Sequence, residues 1–539
     1  MCGIIGVLGD LPGKDLFKRS RDAMSHRGPD DGGTYYSLNE NIALGHRRLS
    51  IIDTSSRGKQ PLVSTDGNFV ITFNGEIYNY RQLKEQINNY EFKTETDTEV
   101  LLAAYIKWGV KCTEKIEGMF AFAIWDRRKG ILFLCRDRLG IKPLYYHLKN
   151  EIFYFASEIK GILNLSKIKR ELDFQGFIDY LSYRYPLGDR TLFRDIKSFP
   201  PGHYMIISNN RSPKVYKYWD LPVVIDKNDP GEAEVLENTE MLLKKSVQSH
   251  MISDVPIGAY LSGGLDSALL VGLMSSFSND PINTFSIGFK EKGFNEFKYS
   301  REVAKKFKTN HNEYLLKSDD YLEFMTKVIR YKDSPLTTHN EISLHLLSKY
   351  LKKDATVVLS GDGADELFGG YGRIFRSGYD FDRIKKLQHY HNPDKDILVK
   401  NLMDKYKSFN FNTPIEHFMT QYPYLKLNEK RLLLNREIFN TSDDYLLNKE
   451  YFTKVFNKIQ GLSTSEQYLY VFQQTHILGP LYRLDAATMA HSVEARVPFV
   501  DHKLIEYVSG LPLKYKLSWR SKKDKELSRV LNSDQGHDY

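Results

Sequence analysis

Cysteine is scarce in this chain of 539 residues: only Cys2, Cys112 and Cys135 occur, too few and too scattered for a disulfide framework or a zinc site. No uninterrupted apolar run approaches the roughly 20 residues of a membrane span, and the N-terminus lacks the basic-then-apolar pattern of an export signal. Together these absences predict a cytoplasmic protein with no membrane association. A large excess of one charge is missing as well. Lys and Arg number 76 against 68 Asp and Glu, a net +8 spread along the chain, which predicts no nucleic-acid surface and only a mild attraction for anionic metabolites. What is present, 41% apolar and 27% charged residues, is the balance of a globular protein long enough for two or three cores.

The most informative stretch is Leu261-Ser262-Gly263-Gly264-Leu265-Asp266-Ser267, which joins a strand-like run, Val255 to Leu261, to a helical run, Leu265 to Ser275. Two glycines allow a tight turn and close approach to a ligand, and the helix that follows offers free N–H groups to an anion. Ser262 and Ser267 can donate to phosphate oxygens. Asp266 would repel a bare phosphate and makes sense if a divalent cation lies between them. No Gly-Lys-[Ser/Thr] follows, so this is not a Walker A loop. The stretch resembles the pyrophosphate loop of the ATP pyrophosphatases, which cleave ATP to AMP and pyrophosphate while adenylating an oxygen.

Cys2 follows the initiator methionine, and a side chain that small permits its removal. A free α-amine, with a reference pKa of about 7.7 to 8, could then act as base beside its own thiol. Cys2 alone does not decide between a nucleophile and a chance cysteine. The order of motifs that follows does: His26 to Asp30, Arg48 to Asp53, Phe73 to Asn79 and Thr96 to Glu99 closely resemble the glutaminase domain of class II glutamine amidotransferases, which are N-terminal nucleophile (Ntn) hydrolases. The resemblance implies that Cys2 attacks the glutamine amide and that Asn74 and Gly75 form the oxyanion hole. Arg48, Glu76 and Asp97 would hold the amino-acid head of glutamine, in a pocket that includes Leu49, Ile51 and Ile52. Locally, Asn74-Gly75 also reads as a hairpin dipeptide after a strand, and Asp97 as the start of a helix capped by a Thr96–Glu99 capping box. The charges of Arg136 to Tyr146 read as organising a turn or a domain contact.

After the Pro- and acid-containing stretch Asp220 to Glu234, the chain alternates strand-like and helical runs, which predicts a parallel sheet covered by helices with ligands at the carboxyl ends of its strands. The Leu261 loop, Ile287 and Ser360 would lie there. Ser360-Gly361-Asp362-Gly363-Ala364-Asp365-Glu366, then Leu367 to Tyr371, sets three acids among glycines directly after an apolar strand, a costly arrangement unless something positive binds. It resembles the second signature of asparagine synthetases. That implies nucleotide contacts at Ser360 and Gly361, a catalytic carboxylate at Asp362 where many members carry Glu, Mg2+ held by Asp266 and Asp365, and Glu366 facing the acceptor. Arg483 to Asp501 resembles the family's third signature. Its charges recur at helical spacing, so an ion-pair network and direct substrate contact both stay open.

The resemblance runs to about Leu517. Beyond it Lys525 stands where the family carries a catalytic lysine, with Lys522 and Lys523 as rivals, and the expected later segment is not found; the second domain therefore reads as short at its C-terminus. The resemblance implies an α+β Ntn hydrolase four-layer sandwich over residues 1–215, a linker over 216–235, and an α/β Rossmann-like ATP pyrophosphatase domain with added helices over 236–539. The expected activity is amidation of an ATP-activated carboxylate, first of all aspartate, by ammonia from glutamine, with ATP and Mg2+ as cofactors. A sugar-acid or peptide carboxylate is the rival acceptor, and a regulatory homologue with a disabled synthetase domain the rival class. A homodimer is one assembly this reading allows.

Overall fold

The computed structural model describes residues 2–165, 168–208, 212–225, 227–291, 295–387, 395–408, 410–435, 441–519 and 521–522. Alternation along its first strand, Gly3–Leu8, sets the architecture of the N-terminal half. Ile4 and Leu8 point to one side and Ile5 and Val7 to the other, and all four are buried. On the Ile5 side lie Phe17 and Met24, from and just after the helix Lys14–Asp22, with Ile159 and Ile162 of the helix Ile159–Leu165. On the Ile4 side lie Val70, Ala121, Ala123, Leu132 and Leu134 of a second sheet.

Both sheets have six strands. The first runs Lys197–Ser198, Tyr145–Lys149, Ile152–Ala156, Gly3–Leu8, Ile42–Arg48, Asp31–Ser37. The second runs Lys214–Lys217, His203–Ser208, Ile131–Arg136, Gly118–Asp126, Phe69–Ile77, Leu62–Val63. Every pairing is antiparallel. The outer face of the second sheet, with Phe69, Ile71 and Phe73, packs with Val100 to Ala104 of the helix Asp97–Trp108. Helix, sheet, sheet and helix make the four layers of an Ntn hydrolase sandwich.

The second half holds a five-stranded, wholly parallel sheet in the order Asn310–Leu316, Asn283–Phe289, Ile257–Tyr260, Val357–Leu359, Glu494–Arg496. The chain begins at the central strand, winds outward on one side, then returns to build the other. The strands Ile257–Tyr260 and Val357–Leu359 therefore flank the switch point, where an open α/β sheet leaves a crevice at its carboxyl edge. Helices between residues 372 and 475 form an added layer.

Three expectations are corrected. Asn74-Gly75 forms no hairpin turn: both residues lie inside the strand Phe69–Ile77, opposite Ala121 and Phe120. A side chain on Gly75 would sit 2.1 Å from Met119 O, and φ is +153°, so the glycine serves a close strand pairing. The segment Glu494–Arg496 is a buried edge strand and does not continue the helix Leu478–Met489. Its alternation is too short to register beside the helical spacing upstream. The capping box is half formed: Thr96 Oγ1 accepts from Glu99 N at 3.2 Å. Glu99 instead accepts from the backbone N–H groups of Lys93 and Thr94.

Candidate functional sites at the two sheet edges

Cys2 immediately precedes the first strand and is buried, and its backbone N donates to Asn74 Oδ1 at 2.9 Å. This atom stands in for the α-amine of a chain that has lost Met1. Because Asn74 accepts there, its Nδ2 is turned away, buried and without a hydrogen-bond partner among the described residues. A buried amide donor left unpaired is costly unless a ligand oxygen completes it. Burial pushes the Cys2 thiol up, opposed by the chain's amino group, by the Leu49 backbone and by Arg48.

Around Cys2 a small pocket is lined by Arg48, Leu49, Ile51, Ile52, Gly75, Glu76 and Asp97, the residues expected to hold glutamine apart from Asn74, which does not line it, together with Gly58, Gln60, Phe73, Thr96 and Thr98. Arg48 Nη1 donates to Ser55 O at 2.7 Å. A Cβ on Gly58 would meet the Arg48 guanidinium at 2.1 Å, so Gly58 makes room for it. Asp97 opens its helix and accepts from Ile77 N at 2.9 Å; burial raises its carboxyl to about 7. Gln60 links strand to helix, accepting from Phe73 N at 2.7 Å and donating to Thr98 Oγ1 at 3.1 Å. Sequence reading missed Gln60, Thr98 and Gly58. They carry no charge, and no spacing marks them.

At the carboxyl edge of the parallel sheet lies a cavity of about 950 Å³, lined by Leu261, Ser262, Asp266, Ser267, Ile287, Ser360, Gly361, Asp362 and Asp365, with Arg483. Ser262 and Ser267 hydroxyls are 3.0 Å apart, and Gly264 N donates to Ser262 Oγ at 3.0 Å. The helix Leu265–Phe277 starts with no side-chain cap, which leaves its first N–H groups for an anion. Gly263 and Gly264 shape the turn without lining the cavity. A Cβ on Gly263 would come within 2.7 Å of Tyr299 Cβ, so packing rather than ligand approach requires that glycine.

Asp266 is partly buried and Asp365 exposed, and both carboxyls are raised, first by partial desolvation, then Asp266 by the charge of Asp365 and Asp365 by that of Asp362. Such a deficit of positive charge fits a divalent cation held by two carboxylates and by phosphate oxygens. Among the described residues no group of three or more His, Cys, Asp or Glu side chains that could hold a metal ion occurs. Asp362 accepts from Ser360 Oγ and, at 3.3 Å, from Arg483 Nη2. Glu366 does not line the cavity. It is buried beneath Tyr371, whose hydroxyl donates to it at 2.9 Å, and burial raises it to about 7. Lys525 lies outside the described residues, as does Lys523.

Arg27 and the helix Leu478–Met489 connect the two sites. Arg27 Nε donates to Cys2 O at 3.0 Å, and Arg27 Nη1 to Asp485 Oδ2 at 2.9 Å. Asp485 sits two residues after Arg483 on the helix Leu478–Met489. The charges of the third signature thus divide between the two uses left open: Arg483 reaches the cavity, and Asp485 pairs across the domains. Elsewhere, Arg136 and Asp137 hold the turn at Leu139 to Lys142 through backbone groups.

Comparison with known proteins agrees with this arrangement. A glutamine amidotransferase domain model matches residues 1–219 and an asparagine synthase model residues 238–532. The chain is 34% identical over 533 residues to glutamine-hydrolysing asparagine synthetase 1 of Bacillus subtilis, covering 95% of this chain and 81% of that protein. It is 38% identical over 415 residues to a putative glutamine-hydrolysing asparagine synthetase 2 of Methanocaldococcus jannaschii, covering 72% and 79%. A solved B. subtilis glutamine PRPP amidotransferase aligns over 59% of this chain and 91% of that one at 13% identity, with a TM-score of 0.33, too weak a likeness to carry an argument. Fold and site together define a glutamine amidotransferase joined to an ATP-dependent ligase. The chain belongs to the asparagine synthetase family. No helix among its described residues is long and apolar enough to cross a membrane.

Proposed function

We propose that the protein hydrolyses glutamine at Cys2 and uses the ammonia to amidate a carboxylate, that of aspartate, activated by ATP at the second site. The observation that carries this reading is the helix Leu478–Met489, which reaches Asp362 in the large cavity through Arg483 and the Cys2 backbone through Asp485 and Arg27. In this reading ammonia released at Cys2 passes within the protein to the second site, where it must arrive unprotonated to be nucleophilic.

At the first site the α-amine of the processed chain takes the thiol proton, and the thiolate attacks the side-chain amide. Asn74 Nδ2 donates to the oxyanion as it forms, with Gly75 as second donor. Arg48 suits the carboxylate of glutamine, and Glu76 with Asp97 its ammonium group. At the second site the N-terminus of the helix Leu265–Phe277, Ser262 and Ser267 bind phosphate, while Ile287, Ser360 and Gly361 line the nucleotide side. Asp266 and Asp365 would hold Mg2+, which when bound offsets phosphate charge as pyrophosphate leaves. Asp362, fixed by Ser360 and Arg483, orients the reacting carboxylate, and Glu366 supports the acceptor from below through Tyr371. Lys525 is assigned the stabilisation of the adenylate.

Pyrophosphate release measured with ATP, magnesium and glutamine, with and without aspartate, tests the reading. Aspartate dependence is expected. Release with another carboxylate only would exclude aspartate as the acceptor, and no release with any carboxylate would defeat the synthetase assignment.

A further inference from the structure

Arg496 belongs to the ligase domain by its backbone, while its side chain approaches Glu76 of the glutamine pocket. Its strand, Glu494–Arg496, pairs in parallel with Val357–Leu359, and Ser360 N donates to Arg496 O at 2.8 Å. The residue therefore fixes the start of the Ser360-Gly361-Asp362 loop in the large cavity. Its side chain is wholly buried and runs the other way. Nε donates to Glu494 Oε1 at 2.6 Å, and Nη1 donates to the carbonyls of His250 and Ile252 at 2.7 and 2.6 Å. These bonds hold the end of the helix Glu232–His250 and account for two of the three nitrogens. The third, Nη2, has no hydrogen-bond partner among the described residues and lies 3.6 Å from Glu76 Oε1.

We propose that Arg496 is a positioning residue of the glutamine site, supplied by the ligase domain: it keeps Glu76 ionised and aimed, and so links glutamine affinity to the seating of the nucleotide loop. This rests on the reading of Glu76 as the group that holds the glutamine ammonium. Glu76 is a buried carboxylate facing Asp97 from the helix Asp97–Trp108, Glu494 and Arg496 from the ligase strand, Arg48 and Tyr78 nearby, and the chain's amino group. Burial, Glu494 and Asp97 raise it, while Arg496 and the amino group oppose them. Without the guanidinium the carboxylate would hold its proton to higher pH and offer the ammonium group a neutral partner.

The test uses the full chain and measures glutaminase kcat and KM from pH 6 to 9 for the unaltered protein, Arg496→Gln and Arg496→Lys, with ammonia-dependent pyrophosphate release as a control for the ligase domain. The unaltered protein should hydrolyse glutamine and Cys2→Ala should not; if either fails, the reading of the site falls, separately from this inference. Given both, Arg496→Gln should raise KM for glutamine about 30-fold or more with kcat within about threefold, the lower end of the loss expected for one buried charged contact. The rise of 1/KM with pH should move to higher pH, and Arg496→Lys should recover part of both effects. In the unaltered protein, ATP with magnesium should change KM for glutamine at constant kcat. A KM within twofold of the unaltered value in both variants would overturn the proposal. So would parallel loss of kcat, KM and ammonia-dependent release, which marks a purely structural residue. Should both variants fail to fold, a KM indifferent to ATP in the unaltered protein overturns it, and a KM that responds supports it.

Discussion

The Asn74 amide is committed on one side to the Cys2 backbone, and its buried Nδ2 has no hydrogen-bond partner among the described residues. Asn74→Ala should therefore lower glutaminase kcat about 10²–10³-fold with a smaller change in KM, as for loss of one oxyanion donor, and leave ammonia-dependent pyrophosphate release intact; steady-state kinetics of both half-reactions check it. Glu366 gives a prediction in stability. Burial raises its carboxyl from 4.5 to about 7 in the folded chain, so the folded state holds the proton more tightly than the unfolded one. That contribution to stability is present below pH 4.5 and lost as pH rises through 7. Glu366→Gln, which mimics the neutral acid, should raise the unfolding free energy at pH 8 by about 3 kcal/mol, read as a higher Tm, and change it little at pH 5; equal shifts at both pH values would contradict the assignment. At this scale the sequence was most readable where charge and motif coincide. Cys2, Arg48, Glu76 and Asp97 converge on one pocket from positions up to 95 residues apart. The neutral liners Gln60 and Thr98 converge with them and left no mark in the sequence, because a single amide or hydroxyl has no spacing to betray it.

Secondary structure was legible where period and length were both strong. The central strand and phosphate-loop helix fall at Ile257–Tyr260 and Leu265–Phe277, inside or close to the runs of apolar residues that predict them. Local chemistry misled where a tertiary partner overruled it: Asn74-Gly75 has the composition of a turn, yet the neighbouring strand Gly118–Asp126 holds it extended. The strand Glu494–Arg496 is three residues long and wholly buried, too short for any period to appear. The phosphate loop supplies the prediction at this scale. Because Gly263 packs against Tyr299 Cβ, Gly263→Val should introduce about 1–3 kcal/mol of local strain. Pyrophosphate release from ATP should fall at least tenfold while glutaminase kcat stays near that of the unaltered protein. Unchanged release would mean the turn is not shaped by that contact.

The whole molecule is two folds that meet through a shared apolar core and through buried ion pairs. Arg27 with Asp485 and Glu158, and Arg496 with Glu494 and Glu76, lie between the halves with almost no exposure. Breaking one partner of such a pair leaves a buried charge uncompensated, so these residues fix how the halves meet as well as what passes between them. Sequence order implied two domains and two chemistries. It gave no sign that Arg27, inside a glutaminase motif, pairs with Asp485, 458 positions away, because such pairing exists only once both domains are folded and docked. The account's central claim is that Cys2 supplies ammonia to a separate ATP-dependent site. The most direct measurement is pyrophosphate release by Cys2→Ala with ATP, magnesium and aspartate, using glutamine or an ammonium salt as nitrogen source. The account predicts release with ammonium at close to the unaltered rate and none above background with glutamine. Loss of release with both, in a variant that remains folded, would contradict it.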